Sequence, residues 1–274
     1  MRMLVALLLV SSAAFAQKDP VSRSWNQPVE PVRIAGNLYY VGASDVTSYL
    51  ITTPKGHIVL DGGFAETAPM ILANIRKLGF RVEDVRILLS SHAHEDHAGG
   101  LAELKRVTGA KLYASRRDIP LLARGGRDDP QFGDRFSFPP VTADHAFDDG
   151  FRLTLGGTTL VARVTPGHTP GCTTWTMRAS GGKRTYDVVF VGSPTVPPQY
   201  RLKNNPNYPD AVADYRRQFR ILRSLRCDIF LAAHGSFFGL TAKVAGKRSF
   251  IDPIRYRTFV TDMERRFEEH LARE

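Results

Sequence analysis

The chain has 274 residues, of which 43% are hydrophobic and 23% are charged, so one large domain or two small ones can bury an ordinary globular core. Only two cysteines are present, which excludes a scaffold held together by several disulfides. The formal charge of +10 is compatible with a basic enzyme or with an anionic partner such as nucleic acid.

The first 16 residues have the pattern of a secretory signal peptide. Arg2 precedes an apolar run at 3–10, and small residues lead up to Ala16 in an A-x-A-like cleavage site. The apolar run is too short to span a bilayer. We therefore expect cleavage after Ala16, a mature domain at 17–274 without a membrane anchor, and export to the periplasm.

The sequence after the signal alternates between strand-like and helical patterns. Predicted strands lie at 38–41, 48–52, 57–60, 85–89, 152–155, 158–164, 173–178, 187–191 and 229–232. Predicted helices, in which apolar residues recur at helical spacing, lie at 66–78, 101–107, 210–225 and 253–271. Residues 125–149 are rich in Asp, Gly and Pro and predict a long loop over the surface or the site. Strand runs followed by a helix, roughly twice over, predict two packed sheets with helices outside.

A histidine cluster, SSHAHEDHAGG, follows the predicted strand at 85–89. It holds His92, His94, Asp96 and His97, although the whole chain has only 8 histidines. His92 and His94 are two apart in an extended segment and point the same way, so they can meet one metal ion. Asp96 and His97 lie past the bend and can face a second ion. Since imidazole and carboxylate are usual zinc ligands, the cluster predicts a metal site that needs further ligands from elsewhere.

Two further histidines are candidates to complete this site. His168 in TPGHTPG and His234 in LAAHGSF each follow a predicted strand, in turn-rich sequence where site residues are commonly found. The remaining histidines, His57, His145 and His270, lack this context, and we expect them on the surface. The sequence thus predicts additional metal ligands at positions 168 and 234.

Three motifs together, HAHEDHAGG, PGHTPG and AAHG, resemble the metallo-β-lactamase superfamily. The resemblance runs from about residue 34 to the end of the chain and implies an α/β fold, the four-layer αβ/βα sandwich. Stretches at 37–63, 133–147 and 191–209 resemble one branch, the third subclass of class B β-lactamases. The resemblance therefore implies a metallo-hydrolase, and within that class a β-lactamase.

The same resemblance implies two zinc ions held by six protein ligands. The two sets are His92, His94 and His168 for one ion, and Asp96, His97 and His234 for the other. Zinc lowers the pKa of its water to about 7, which implies a zinc-activated hydroxide that opens the β-lactam ring, with Asp96 orienting it. Asp61 is expected either to hydrogen-bond towards a ligand imidazole or to cap a turn, and both alternatives stay open.

Ser193 distinguishes among the activities that this superfamily supports. Glyoxalase II-type thioester hydrolases, lactonases and RNA-processing nucleases usually place a bridging Asp after the strand predicted at 187–191, whereas this chain has Ser193 there. The lactamase branch uses that serine and a neighbouring hydroxyl, here Thr195, near the substrate carboxylate. Both residues also suit turns that precede proline. We expect hydrolysis of a small β-lactam antibiotic, with resistance as the consequence, and keep a thioester or a lactone as the alternative substrate.

The chain departs from the branch at several positions. The branch often pairs the cysteine at the Cys227 position with one in the C-terminal helix, but Arg255 stands about there. We therefore expect that disulfide to be absent. Cys172 stands where serine is usual, and a bridge between the two cysteines would require Cα atoms within about 7 Å. Glu95 adds a carboxylate between the ligands, and the direction of its effect is open.

Five arginines crowd the helix predicted at 210–225 and its end: Arg216, Arg217, Arg220, Arg223 and Arg226. A nucleic-acid-binding surface would need such a stripe with aromatic residues interleaved. The alternative is a solvated face opposite the apolar stripe that contains Tyr215 and Phe219. We favour the solvated face and expect a monomer with no nucleic-acid partner.

Overall fold

The computed structural model describes residues 20–274. The signal peptide expected at 1–16 lies outside the described residues. Between residues 20 and 274, no helix is both long enough and apolar enough to cross a membrane.

The described residues form twelve strands and nine α-helices. The strands are β1 (Val32–Ala35), β2 (Leu38–Tyr40), β3 (Tyr49–Thr53), β4 (Gly56–Leu60), β5 (Val85–Leu89), β6 (Lys111–Ser115), β7 (His145–Phe147), β8 (Arg152–Leu155), β9 (Thr158–Val164), β10 (Thr173–Gly181), β11 (Arg184–Val191) and β12 (Ile229–Ala232). The helices are α1 (Pro20–Trp25), α2 (Ala68–Lys77), α3 (Glu95–Ala98), α4 (Leu101–Thr108), α5 (Ile119–Ala123), α6 (Ala211–Ser224), α7 (Gly235–Phe238), α8 (Leu240–Val244) and α9 (Pro253–Arg273).

Every strand and helix predicted from the sequence is present, with shifts of a few residues at the ends. The prediction of a loop throughout 125–149 is wrong at its C-terminal end, because β7 occupies three of those residues. This strand forms by parallel pairing with β6, in which Tyr113 lies opposite His145. Both strands are short, and neither carries an alternating apolar pattern long enough to be predicted locally.

Two mixed sheets form the centre of the fold. The larger runs in the order β1-β2-β3-β4-β5-β6-β7, with antiparallel pairing up to β4 and parallel pairing beyond it. The smaller runs in the order β12-β11-β10-β9-β8, in which β11 and β12 pair in parallel and the other neighbours are antiparallel. As a result, β9, β11 and β12 run in the same direction, and their C-terminal ends lie at the same end of the smaller sheet. The loops that follow these strands can therefore meet the loop that follows β5.

Alternating side chains on the strands supply two separate cores. In β3, Tyr49 and Ile51 face the smaller sheet, whereas Leu50 faces the helices on the other side. The core between the sheets also contains Trp175 of β10 and Phe190 of β11, both buried. Since burial of each large apolar side chain stabilises the fold by about 1.5–3 kcal/mol, this layer holds the two sheets face to face.

Helices cover the outer face of each sheet and complete a four-layer αβ/βα sandwich, as the family resemblance implies. Helices α2 and α4 pack on the larger sheet through residues such as Ile71 and Leu104. Helices α6 and α9 pack against each other and on the smaller sheet, where the rings of Phe219 and Phe267 lie 5.7 Å apart.

The basic face of α6 is exposed and forms ion pairs within the protein. Arg217 lies 3.2 Å from Asp149, and Arg223 pairs with Glu264 on α9. Acidic side chains thus neutralise part of the arginine stripe, which agrees with a solvated face.

Candidate metal centre

Loops at one edge of the two sheets bring the six predicted ligands together. The loop after β5 carries His92, and α3 begins directly after His94. His168 lies in the turn between β9 and β10, and His234 lies between β12 and α7. Three separate segments of the chain therefore contribute to one cluster.

The first predicted ligand set forms a compact triad. The ligand atoms of His92, His94 and His168 lie within 4.8 Å of one another, and all three residues are buried. Nδ1 of His94 lies 3.1 Å from Nε2 of His168. Nε2 of His92 is buried and has no hydrogen-bond partner. An orphaned buried nitrogen beside two converging imidazoles is what a metal site requires.

The second predicted set forms another triad beside the first. Oδ2 of Asp96 lies 3.1 Å from Nε2 of His97 and 3.4 Å from Nε2 of His234. The same two imidazole nitrogens lie 3.3 Å apart. His92 is close enough to Asp96 and His97 for their ligand atoms to lie within 4.8 Å of one another, so the two triads adjoin.

Two of the ligand imidazoles turn their other nitrogen to an acceptor. Nδ1 of His168 lies 3.0 Å from the carbonyl oxygen of Thr195, so it carries the proton and leaves Nε2 free. Nδ1 of His234 lies 2.9 Å from Oδ2 of Asp45, whose other oxygen accepts the amide of Ser236 at 2.6 Å. Such partners fix the orientation of metal-ligating histidines in proteins. No local pattern indicates this role for Asp45, because its segment meets that of His234 only in the folded chain, where Val46 forms an isolated β-bridge with His234 and the Gly235 amide donates to the Asp45 carbonyl at 2.7 Å.

His92 and His94 also have a polar side chain beside one ring nitrogen. Nε2 of His94 lies 3.3 Å from Oδ2 of Asp129, and Nδ1 of His92 lies 3.0 Å from Oγ of Ser91. Asp61, which has a positive φ of 65°, accepts the Ser91 amide at 2.7 Å. The Asp61 side chain therefore holds the backbone of the ligand loop at Ser91, rather than bonding an imidazole or only capping its own turn.

Asp118 is a buried carboxylate that the sequence analysis did not single out. Its Oδ2 accepts the Ala93 amide at 3.0 Å and the Thr169 hydroxyl at 2.8 Å, and its Oδ1 accepts the Gly171 amide at 2.6 Å. It thus joins the HAHEDH loop to the PGHTPG loop. The sequence indicates this role only weakly, because Asp118 is a single aspartate after β6, a strand that the sequence pattern does not predict.

Electrostatics favour an ionised carboxylate in the second triad. Burial alone would raise the pKa of Asp96, but the charge of His97 and the hydrogen bond with His234 hold that pKa well below its usual range. Burial alone would lower the pKa of His234, but Asp45 and Asp96 raise it to about 9. His234 is therefore protonated at neutral pH in the metal-free protein.

A cleft of about 310 Å³ opens over the cluster. It is lined by ligands of both triads, by Glu95 and Thr195, and by apolar side chains: Trp25, Phe64, Phe132, Phe136, Pro197 and Pro198. A few convergent polar groups beside an apolar wall are typical of a site for a small molecule.

Ser193 and Thr195 lie at the end of β11 but in different positions relative to this cleft. Ser193 is buried, with its Oγ 3.0 Å from Oγ1 of Thr195. Thr195 lines the cleft, and its Oγ1 lies 3.3 Å from Nδ1 of His168. The hydroxyl available to a ligand is therefore that of Thr195, with Ser193 behind it.

Two of the three histidines expected on the surface are buried, so that prediction is wrong for them. His57 lies within β4 rather than in a turn, with its ring 5.3 Å from that of Phe80. His270 is on the packed face of α9, where its Nε2 lies 2.9 Å from the carbonyl oxygen of Tyr200. His145 is exposed on β7. Each buried imidazole is placed by tertiary packing that the local pattern does not show.

Both cysteines are free thiols. Cys172 is fully buried beneath Ser193, whose amide donates to its Sγ at 3.2 Å. Burial raises the pKa of the Cys172 thiol to about 12. At this position the cysteine fills space and supports the backbone of the β11 loop.

The model of the metallo-beta-lactamase superfamily matches residues 41–234, more than half of the chain and a span that includes all six candidate ligands. This chain belongs to that superfamily. Its architecture, two mixed sheets between helices, is the metallo-β-lactamase fold. The protein is therefore an enzyme of a metallo-hydrolase family, and its histidine cluster is a metal-binding cluster.

Several solved structures of metallo-β-lactamases resemble this chain along most of its length. FEZ-1 from Legionella gormanii is 41% identical with a TM-score of 0.88, over 90% of this chain and 97% of FEZ-1. BJP-1 from Bradyrhizobium japonicum, a subclass B3 enzyme, is 40% identical with a TM-score of 0.85, over 91% of this chain and 96% of BJP-1.

A metallo-β-lactamase from Cronobacter sakazakii is also similar, at 43% identity and a TM-score of 0.88, over 92% of this chain and 98% of that enzyme. It is described by an HARLDQ motif, where this chain reads HAHEDH at 92–97. Similarity of fold therefore does not by itself carry the six-ligand set, and the distances within the two triads are the stronger evidence.

Curated relatives have several activities. The N-acyl homoserine lactonase AttM of Azorhizobium caulinodans is 30% identical over 157 residues, 46% of this chain and 57% of the lactonase. A hydroxyacylglutathione hydrolase of Fuscovulum blasticum is 30% identical over 106 residues, 39% of this chain and 33% of that protein. The chain spans about half the length of the first curated relatives that it matches.

Proposed function

We propose that this protein is a zinc-dependent β-lactamase that opens the lactam ring of antibiotics and thereby confers resistance. The observation that carries the proposal is the pair of adjoining triads in the cleft, with the hydroxyl of Thr195 rather than another carboxylate where β11 ends. Similarity to solved metallo-β-lactamases over about 90% of the chain supports it.

Two zinc ions fit the two triads. Zinc binds imidazole nitrogen at about 2.0–2.1 Å in tetrahedral geometry, so ligand atoms of one ion stand about 3.3 Å apart. The atoms of Asp96, His97 and His234 lie 3.1 to 3.4 Å apart, and those of His94 and His168 lie 3.1 Å apart. When bound, zinc would supply an activated water at neutral pH and an electrophile for the lactam carbonyl.

The residues around the triads would orient the reactants. The Asp96 carboxylate stays ionised beside two imidazoles, so it can accept a hydrogen bond from the attacking water and hold it in line. Thr195 can donate a hydrogen bond to the substrate carboxylate, with Ser193 orienting the hydroxyl. The aromatic residues of the cleft would bury the apolar side chain of the substrate and exclude bulk water.

Hydrolysis of a lactone is the second candidate function. Its support is the similarity of this chain to homoserine lactonases, at about 30% identity over less than two thirds of their length. A lactone and a β-lactam both present a cyclic acyl carbonyl to the site. The thioester of a glyoxalase II-type reaction is the further alternative, supported by the hydroxyacylglutathione hydrolases.

The test is a substrate panel with purified, zinc-loaded protein. It includes a penicillin, a cephalosporin, a carbapenem, an N-acyl homoserine lactone and a glutathione thioester, with chelator-treated protein as the control. We expect the highest kcat/KM for a β-lactam and no turnover after chelation. If the lactone or the thioester is hydrolysed faster than every β-lactam, the corresponding alternative replaces this proposal.

We also propose that the protein acts in the periplasm after removal of residues 1–16. The basis is the signal-like sequence that ends at Ala16. N-terminal sequencing of protein recovered from the periplasm should begin at Gln17. Recovery of the full-length chain in the cytoplasm would contradict export.

A further inference from the structure

Asp129 lies in the loop between α5 and β7 and is buried at the edge of the metal centre. Its Oδ2 lies 3.3 Å from Nε2 of His94, whose Nδ1 faces His168 at 3.1 Å. The contact with Asp129 brings the carboxylate against the imidazole edge without the geometry of a well-aligned hydrogen bond. The carboxylate lies at Nε2 of the imidazole, whereas Nδ1 faces the triad, so it occupies the place of the partner that usually orients a metal-ligating histidine.

The other oxygen of Asp129 organises the loop itself. Oδ1 accepts the amides of Gln131 and Phe132, each at 2.8 Å. The backbone of Asp129 also pairs in both directions with that of Gly133, at 3.1 and 2.9 Å. The Asp129 side chain therefore contacts the His94 ring and also holds the backbone at Gln131 and Phe132.

Phe132, held by this turn, forms part of the cleft wall. Its ring lies edge-on to that of His94 at 5.2 Å and contacts the rings of Phe136 at 4.9 Å and Tyr200 at 5.1 Å. Tyr200 in turn stacks on His168 at 5.6 Å. The aromatic wall and the first triad are thus in direct contact, and Asp129 contacts His94 of the triad and accepts the backbone amide of Phe132 in the wall.

We infer that Asp129 is a positioning residue that couples the metal ligand His94 to the aromatic wall at Phe132. The same carboxylate sets the affinity of the first triad for zinc and the placement of the ring that contacts the apolar part of a substrate. The part of this inference that concerns substrate rests on the proposed function, whereas the part that concerns zinc and the loop does not.

Two substitutions separate the two roles of Asp129. Asp129→Asn keeps an oxygen that can accept the amides of Gln131 and Phe132, but presents an NH₂ group to Nε2–H of His94. Asp129→Ala removes both interactions. Asp128→Asn is the matched control, since Asp128 is exposed and its φ of 53° suits asparagine.

The zinc affinity of each full-length variant is measured by competition with a chelator, and the exchange of the amides at 131–133 by hydrogen–deuterium exchange of the zinc-loaded protein. We expect Asp129→Asn to bind zinc about 10- to 100-fold more weakly, with protection of the loop amides retained. Asp129→Ala should show weaker zinc binding and faster exchange at 131–133. Asp128→Asn should match wild type in both.

Steady-state kinetics at saturating zinc test the part of the inference that concerns substrate. Asp129→Asn should recover the wild-type kcat, whereas Asp129→Ala and Phe132→Ala should keep a raised KM for β-lactams with a large apolar side chain. Phe132→Ala should bind zinc as wild type does. Wild-type zinc affinity in Asp129→Asn, or unchanged loop exchange in Asp129→Ala, would overturn the coupling. Failure of the wild type to hydrolyse any β-lactam would instead refute the proposed function and leave the zinc and exchange results to decide the coupling.

Discussion

The hydroxyl oxygens of Ser193 and Thr195 lie 3.0 Å apart at the end of β11, and Thr195 alone of the two lines the cleft. Gln218 fixes the backbone behind them by donating to the Ser193 carbonyl at 2.9 Å. The pair therefore presents one oriented hydroxyl, that of Thr195. This hydroxyl can donate a hydrogen bond to an anionic ligand while it accepts one from the hydroxyl of Ser193.

Replacing Thr195 by valine should mainly weaken substrate binding. A hydrogen bond to a charged group contributes about 1.5–3 kcal/mol, so we expect KM for β-lactams to rise by about 10- to 100-fold. Ser193→Ala should raise KM less, because Ser193 acts through Thr195. Steady-state kinetics with metal analysis provide the check, and the zinc content should stay at the wild-type level. A large fall in kcat with unchanged KM would show that the hydroxyl acts elsewhere in the reaction.

Removal of His234 should empty one triad and spare the other. His234→Ala loses a ligand that lies 3.3 Å from His97 and 3.4 Å from Asp96, so we expect about one zinc per chain instead of two and most turnover lost. The control is His145→Ala, since His145 is exposed on β7 and does not line the cleft. Plasma emission analysis after gentle dialysis measures the metal. Two zinc ions retained in His234→Ala would refute the assignment of the second triad.

The cysteines should be reduced and slow to react in the folded protein. Cys172 is fully buried, and its pKa of about 12 leaves almost no thiolate at neutral pH. Burial also raises the pKa of Cys227. Titration with a thiol reagent at about pH 8 should modify neither residue rapidly in native protein and both after denaturation. A disulfide-linked peptide of Cys172 and Cys227 in unreduced digests would contradict this.

Asp144 should make a small contribution to stability that is lost in acid. Burial opposes ionisation, but hydrogen bonds from Lys105, Lys111 and the Leu112 amide together outweigh it and lower the pKa of Asp144 to about 2. A lowered carboxyl pKa stabilises the fold above the unfolded value of about 4 and loses this effect as the pH falls towards 2. The free energy of unfolding should therefore differ between wild type and Asp144→Asn at about pH 6 and converge near pH 2. Because Asp144 is largely solvated, the difference should stay below about 1 kcal/mol. An equal difference at both pH values would refute the electrostatic origin.

Sequence patterns indicate the six clustered candidate ligands far better than the residues that support them. His92, His94, Asp96 and His97 lie in one short motif, and His168 and His234 each follow a strand, so their chemistry was visible locally. Asp45, Asp118 and Asp129 are single aspartates in loops. Their roles arise only where the folded chain brings them to an imidazole or a ligand loop.

The strands show the same division between local and distant information. The continuous apolar run at 49–51 predicts β3 locally, and the structure buries both faces of this strand because each face has its own core. In contrast, β7 depends on β6 for its hydrogen bonds, and His57 and His270 are buried by neighbours distant in the sequence. These features depend on tertiary contacts, which single-sequence periodicity does not contain.

The contact between Asp45 and His234 joins residues 189 positions apart. Closing so long a loop is entropically costly and kinetically late, so the second triad can form only after β12 has docked beside β11. A chain still emerging from a ribosome, or threading a membrane unfolded, carries no complete second site and cannot capture metal there. Occupancy of that triad would therefore report that β12 has reached its place beside β11.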